Sequence, residues 1–197
     1  MSEIILPDFG RLVTKARVYD LQESVCAARY SHAAPKHCSS AIAPTTIKLA
    51  QAPAGSGHDC FLKGIRVSFD LRFTLKAWAE SERYHFFDIV TSESTMHRII
   101  YATSDQICEN DAVDPLAAAL LIDKIEKYNE SPSEENFLGV IFNIPTGFLL
   151  TARISTSYMQ LKTIYAQRKT HRLPEWRSFC EWIASLPHSE MITGEGA

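Results

Sequence analysis

A chain of 197 residues with 46% hydrophobic, 22% charged and 10% aromatic side chains carries enough apolar mass for one sizeable core, which excludes disordered and fibrous classes. A net charge of −3 excludes the broad basic field that sequence-independent coating of DNA requires, yet leaves room for a small basic pocket. There is no run of about 18 apolar residues to cross a membrane, and MSEIILPDFGRL lacks the basic start and apolar run of an export signal; a single cytoplasmic domain over residues 1–197 is expected.

In chain order, residues 1–20 show no clean period and support only a short strand or helix start. Residues 31–59 contain three prolines and two glycines, which predicts irregular structure around a short helix near Ala43–Gln51, with PAGSGHD (53–59) as a mobile turn. Ile65, Val67, Phe69, Leu71 and Phe73 alternate strictly with Arg66, Ser68, Asp70 and Arg72, the pattern of a half-buried strand. LKAWAESERYHFF (75–87) reads as a helix, and DIVTSESTMHRI (88–99) as loop and turn. In DPLAAALLIDKIEKYNE (114–130), Asp114 is an N-cap and Pro115 a first-turn residue, with an apolar face of Leu116, Ala119, Leu120, Ile122 and Ile125. A shorter helix follows within residues 131–145, stopped near Pro145, then a strand over 147–156. The chain ends in two helices: one over Tyr158–Thr170, with Ser157 and Gln160 spaced as a capping box, and one opened by Pro174.

Five cysteines (Cys26, Cys38, Cys60, Cys108, Cys180), odd in number and without CxxC spacing, point to reduced thiols. Cys26, His32, His37 and Cys38 do not have the spacing of a zinc site. Cys180 falls on the apolar stripe of Trp176, Phe179 and Ile183, where a free cysteine is a small core residue rather than a nucleophile. No GxSxG, P-loop or GxGxxG motif occurs.

Two stretches carry candidate chemistry. The helix from Tyr158 places Ser157, Leu161, Ile164, Arg168 and His171 on one side, so an arginine lies on a core-facing stripe. An arginine there needs a bound anion or an internal carboxylate. With His171 and Glu175 at the following turn, the corner is either a polar ligand site or a structural network, in which Arg168 pairs with Glu175 or Glu181 and His171 caps its helix. The second stretch, residues 82–99, gathers Arg83, His85, His97 and Arg98 around Thr91, Ser92, Ser94 and Thr95, which suits phosphate binding or plain turn chemistry.

Together these stretches resemble the flavin-dependent thymidylate synthases, whose R-H-R-x-x-S-x-N-E-x-S-x-R-Y type motif would fall on Tyr84, His85, Phe86, Ile89, Thr91, Ser92, Ser94, Met96 and His97. The family's later N-x-R-S-L … L-R and H-A-Q-x-E segments would fall on Ser157, Met159, Gln160 and Leu161, then Arg168, and, with one residue deleted, on His171-x-x-x-Glu175. The overlay covers about 40% of the chain, residues 65–98 and 145–187. His85, Ser94, Leu161, Arg168, His171 and Glu175 match; Tyr84, Phe86, Met96, Ser157 and Met159 replace polar or cationic residues of the family.

The resemblance implies an α+β fold, a mainly antiparallel sheet flanked by helices, and a homo-oligomer, tetrameric in the family. Trp176, Trp182 and the aromatic run Tyr84–Phe87 are expected to supply exposed interface. It implies a nucleotide or nucleotide-like ligand, with Ser94 as the nucleotide-binding serine, Thr95 beside it and Arg168 as the arginine that holds a pyrimidine nucleotide; His97, His171, Glu175, His85 and Tyr84 would complete the shell. Loss of cations implies no cofactor, with flavin adenine dinucleotide (FAD) possible. The expected function is a divergent thymidylate synthase-like protein that binds such a ligand. The alternatives are active flavin-dependent methylation of deoxyuridylate, a non-catalytic protein that sequesters a nucleotide or serves interactions in bacterial or viral biology, and a purely structural role for the Arg168 corner.

Overall fold

The computed structural model describes residues 3–30, 42–53, 55–107 and 109–194. It opens with β1 (Glu3–Ile5), β2 (Val13–Tyr19), α1 (Leu21–Ala27) and α2 (Pro44–Ala50). A 3-10 turn (Cys60–Lys63) leads into β3 (Arg66–Thr74), α3 (Leu75–Ser81), β4 (Asp88–Ser92) and α4 (Thr95–Arg98). A second 3-10 turn (Ile99–Tyr101) precedes α5 (Ser104–Ile107), α6 (Pro115–Glu130), α7 (Glu134–Ile141), β5 (Leu149–Ser157), α8 (Tyr158–Arg168), α9 (Pro174–Ala184) and α10 (Glu190–Thr193). The strands form one sheet in the order β1-β2-β3-β5-β4; β2 is antiparallel to β1 and to β3, with Val18 opposite both Ile4 and Val67. The architecture is the α+β one expected.

The chain packs as two compact units, one of residues 1–71, 83–90 and 153–197 and one of residues 72–82 and 91–152. The core of the first is aromatic. Phe69, on the buried side of β3, has its ring centroid 4.6 Å from Trp182 and 5.7 Å from Phe179, and Phe179 stacks on Trp182 at 5.3 Å. Lys162 ties α8 to the end of α2, donating to Ala50 O at 2.7 Å, Ala52 O at 2.8 Å and buried Asp59 at 2.8 Å. The core of the second unit is Ile99, Ile107, Ala118, Leu121, Ile125, Val140 and Phe148.

Local chemistry places the helix starts. The side chains of Thr74, Asp114, Ser133 and Ser157 accept from Ala77, Leu116, Asn136 and Gln160 N–H groups, capping α3, α6, α7 and α8. Pro174 takes the first position of α9. Ser157, Leu161, Ile164 and Arg168 share a buried stripe, as the periodicity requires.

Four expectations are corrected. Residues 88–99 are not all loop, because β4 pairs at the sheet edge and α4 follows. The helix from Leu75 ends at Ser81: Phe87 N donates to Tyr84 O at 3.1 Å, a tight turn that buries Tyr84 and Phe87 while leaving His85 and Phe86 exposed. Trp176 and Trp182 are core residues at 0% and 1% exposure, so only Phe86 of the aromatic residues expected at an interface stands exposed. The apolar face of α6 is rotated: Ala118, Leu121 and Ile125 are buried, whereas Leu116 is 80% exposed. The helix is apolar nearly all round in its first two turns, so periodicity alone did not select the face.

That rotation has a measurable consequence. Leu121→Ala is expected to cost about 2–5 kcal/mol by opening a core cavity, and Leu116→Ala less than about 0.5 kcal/mol. Urea denaturation of the two variants checks this; comparable losses would restore the original face.

Candidate functional site

In the first unit, α8 ends in a buried cation. Arg168 is 4% exposed and its Nε donates to the Tyr84 hydroxyl at 2.7 Å, which in turn donates to Gln167 Oε1 at 3.0 Å. The guanidinium lies over the Trp176 ring at 4.9 Å and the Tyr84 ring at 5.5 Å. Such contacts stabilise a desolvated cation by about 0.5–2 kcal/mol each. Tyr84 is held where it is by its turn and by Thr156, whose hydroxyl donates to Phe86 O at 2.7 Å.

The α8–α9 corner is tied by backbone contacts. His171 N donates to Arg168 O at 2.9 Å, and His171 Nδ1 accepts from Leu173 N at 3.2 Å. An accepting Nδ1 puts the proton of a neutral imidazole on Nε2. Through Nδ1, His171 caps the approach to α9. Arg177 Nη1 donates to His171 O at 2.7 Å and Arg172 O at 2.9 Å. Glu175 stands half-buried in the first turn of α9, favourable for a carboxylate at a helix N-terminus. Cys180 is a 2% exposed thiol pushed up to about 12, first by burial and against the opposing pull of the Arg168 charge, so it is no nucleophile.

The second unit contains a cleft of about 350 Å³. Arg72, Glu93, Ser94, Thr95, Arg98 and Tyr101 line its polar side, with Phe148 and Leu149 among the apolar groups. Ser94 precedes α4, and among the described residues its hydroxyl makes no capping hydrogen bond, which leaves it available to a ligand. Arg98 Nη1 donates to Glu93 Oε1 at 2.6 Å, and Arg72 makes a two-pronged pair with Glu109. The cleft holds donors and acceptors of both kinds against an apolar wall, a usual form of small-ligand site.

The structure thus joins Tyr84 to Arg168, sets His171 beside Trp176 at a ring distance of 6.5 Å, and brings Ser94 and Thr95 together in the cleft. His97 does not line the cleft, and His85 is exposed. The cleft residues Arg72, Glu93, Tyr101 and Gln106 escaped the sequence reading. Arg72 sits on the polar side of an alternating strand, where solvation is the default reading, and only the alternation itself marked its direction.

Of the residues whose spacing fits no zinc site, His32, His37 and Cys38 lie outside the described residues; among the described residues no three His, Cys, Asp or Glu side chains are grouped to hold a metal. Cys60 and Cys180 are free thiols, but Cys26 is disulfide-bonded, against the expectation of reduced cysteines. No helix among the described residues is long and apolar enough to cross a membrane.

Among solved structures, the chain is similar to thymidylate synthase X of Helicobacter pylori with FAD and dUMP: TM-score 0.68, 13% identity, covering 90% of this chain and 94% of that one. It is also similar to the UMP/dUMP methylase PolB of Streptomyces cacaoi bound with 5-Br dUMP: TM-score 0.63, 14% identity, 99% and 96% covered. No protein-family model and no curated protein matches the sequence. The fold is that of the flavin-dependent thymidylate synthases, in a sequence-divergent form.

The Tyr84 hydroxyl is the testable joint of the first unit. Tyr84→Phe keeps the ring and removes the acceptor of the Arg168 Nε bond, so it should cost about 1.5–3 kcal/mol, the range for hydrogen bonds to charged groups. A shift in the urea midpoint measures this; an unchanged midpoint would remove Tyr84 as the partner that stabilises Arg168.

Proposed function

We propose that the protein binds a pyrimidine nucleotide or nucleotide-like ligand, in the cleft where Ser94 and Thr95 meet Arg98, and that it does so without tightly held FAD. The observation that carries this reading is the cleft itself: the hydroxyl side chains Ser94, Thr95, Tyr101 and Thr151 and two arginines around about 350 Å³, on a fold whose solved neighbours are described with dUMP. Ser94 and Thr95 donate to the ligand, and Tyr101 and Gln106 offer further polar contacts. By the family resemblance Arg168 of the first unit is proposed, separately from the cleft, as an arginine that holds a pyrimidine nucleotide, with Tyr84, His85, His171 and Glu175 as its accompanying polar groups, and His97 is proposed as a further polar group of the second unit. Homo-oligomeric assembly and a cytoplasmic setting in bacterial or viral biology belong to the same proposal.

The residues present do not fit FAD. A dinucleotide brings a charged pyrophosphate, which charge-assisted hydrogen bonds must hold. Of the positions expected to supply cations, Tyr84 is buried and bonded to Arg168, while Phe86 and Met96 are exposed apolar side chains. The cleft's own arginines are paired with Glu93 and Glu109. Methylation of deoxyuridylate needs a hydride carrier that no side chain supplies, so the binding reading is favoured over the enzymatic one.

A second reading of Arg168 is favoured by its burial: a structural cation held by Tyr84 and Trp176. Calorimetry with deoxyuridylate separates the readings. Ser94→Ala should weaken binding about three- to tenfold, the loss of one hydrogen bond at about 0.5–1.5 kcal/mol, with unchanged melting temperature. Arg168→Ala that melts normally but loses the ligand supports a ligand contact. Arg168→Ala that melts lower yet binds normally when folded makes it structural. No binding by wild type would sink the nucleotide reading.

The cofactor half of the proposal has its own readout. The purified protein should be colourless and should take up no FAD on dialysis, since two or three missing charged contacts weaken binding by several orders of magnitude at about 1.5–3 kcal/mol each. A yellow protein that methylates deoxyuridylate would overturn it in favour of the enzyme.

A further inference from the structure

Both arginines of the cleft in the second unit are already bonded to carboxylates. Arg72 places its fork against the two oxygens of Glu109. Arg98 Nη1 donates to Glu93 Oε1 at 2.6 Å. Glu93 is itself fixed: its Oε2 accepts from Thr151 N at 2.8 Å and its own N–H donates to Thr151 O at 2.9 Å. Its carboxylate cannot swing away from the cleft without giving up the bond to the Thr151 amide.

The two arginines and two glutamates leave this cluster with no net charge. Glu93 lines the cleft one position before Ser94, which lines the same space. A phosphate monoester carries about −1.5 to −2 charges at pH 7. Such a group bound at Ser94 and Thr95 would face a like charge on Glu93 and would have to compete with it for Arg98. An uncharged sugar and base would meet neither obstacle, because the hydroxyls of Ser94, Thr95 and Tyr101 and the wall of Phe148 and Leu149 recognise them without charge.

Resting on the nucleotide-like reading above, we propose that Glu93 sets the charge selectivity of the cleft, so that it favours an uncharged pyrimidine nucleoside over the corresponding dianionic monophosphate. Glu93 acts by holding Arg98 and by repelling an incoming anion. The backbone bonds to Thr151 keep it in that position in the absence of ligand.

The experiment is calorimetry of deoxyuridine and deoxyuridylate with wild type and Glu93→Gln, with thermal melting as the folding control. Glutamine keeps an acceptor for the Thr151 amide and removes the charge. Wild type should bind deoxyuridine at least as tightly as deoxyuridylate, and Glu93→Gln should raise the deoxyuridylate-to-deoxyuridine affinity ratio about tenfold by removing one like-charge contact. Wild-type preference for deoxyuridylate beyond about tenfold, or a ratio that Glu93→Gln leaves unchanged, would overturn the proposal. If Glu93→Gln does not fold, salt decides on the wild type. Screening of a repulsion raises the ratio as salt increases, whereas screening of a net attraction to phosphate lowers it and overturns the proposal. Folded proteins that bind neither ligand would overturn the nucleotide-like reading and the selectivity with it, an outcome distinct from tight binding of deoxyuridylate.

Discussion

The period-two alternation of β3 is the constraint on which the rest depends. Val67, Phe69, Leu71 and Phe73 are all fully buried, and the residues between them carry the charge pattern. Arg66 donates to Ser155, Asp70 accepts from Arg153 and pairs with Lys15, and Arg72 pairs with Glu109. A slip of one residue would bury this row of charges and expose the apolar row. The same register that packs Phe69 into its aromatic cluster therefore aims Arg72 into the cleft. Core and candidate site share one specification.

Charge in this protein is mostly answered from within the chain. Arg168 rests on a hydroxyl and two aromatic rings, Lys162 is used by two carbonyls and Asp59, and Arg98 is used by Glu93. The arrangements around Arg168 and Lys162 lower the cost of a cation removed from water, whereas the Arg98 pair stands largely in solvent. Each also makes that cation less ready to hold a strongly charged ligand, since the ligand must displace a partner first. A fold whose solved neighbours are described with a dinucleotide and a nucleotide is here stabilised by pairings within the chain itself.

What was legible in the sequence was whatever a single period or a cap specifies. β3, the capped start of α6, Ser157 and Gln160 at the start of α8, and Pro174 at the start of α9 all stand where pattern and propensity place them. Cys180 proved a core residue for the reason its stripe indicated. What was not legible depended on tertiary context. β4 is five exposed residues whose strand character comes from its neighbour in the sheet, not from its own alternation. Trp176 and Trp182 exceed a modest core by count alone, but Phe179 packs against both and Phe69 against Trp182. The cleft joins Arg72, Glu93 and Thr151, residues remote in sequence that no local motif connects.

The resemblance and the departures from it meet at Tyr84. The overlay puts Tyr84 where the flavin-dependent enzymes have an arginine, and this tyrosine has become the hydrogen-bond partner of Arg168, the arginine the overlay retains. An arginine restored at that position alone would bring a second guanidinium against the first in a site only 4–6% exposed at these two residues. Like charges that close, with little water between them, repel far more than on the surface. A tyrosine at position 84 and a buried Arg168 are thus mutually compatible. The aromatic core and the β3 register are complete without a ligand charge.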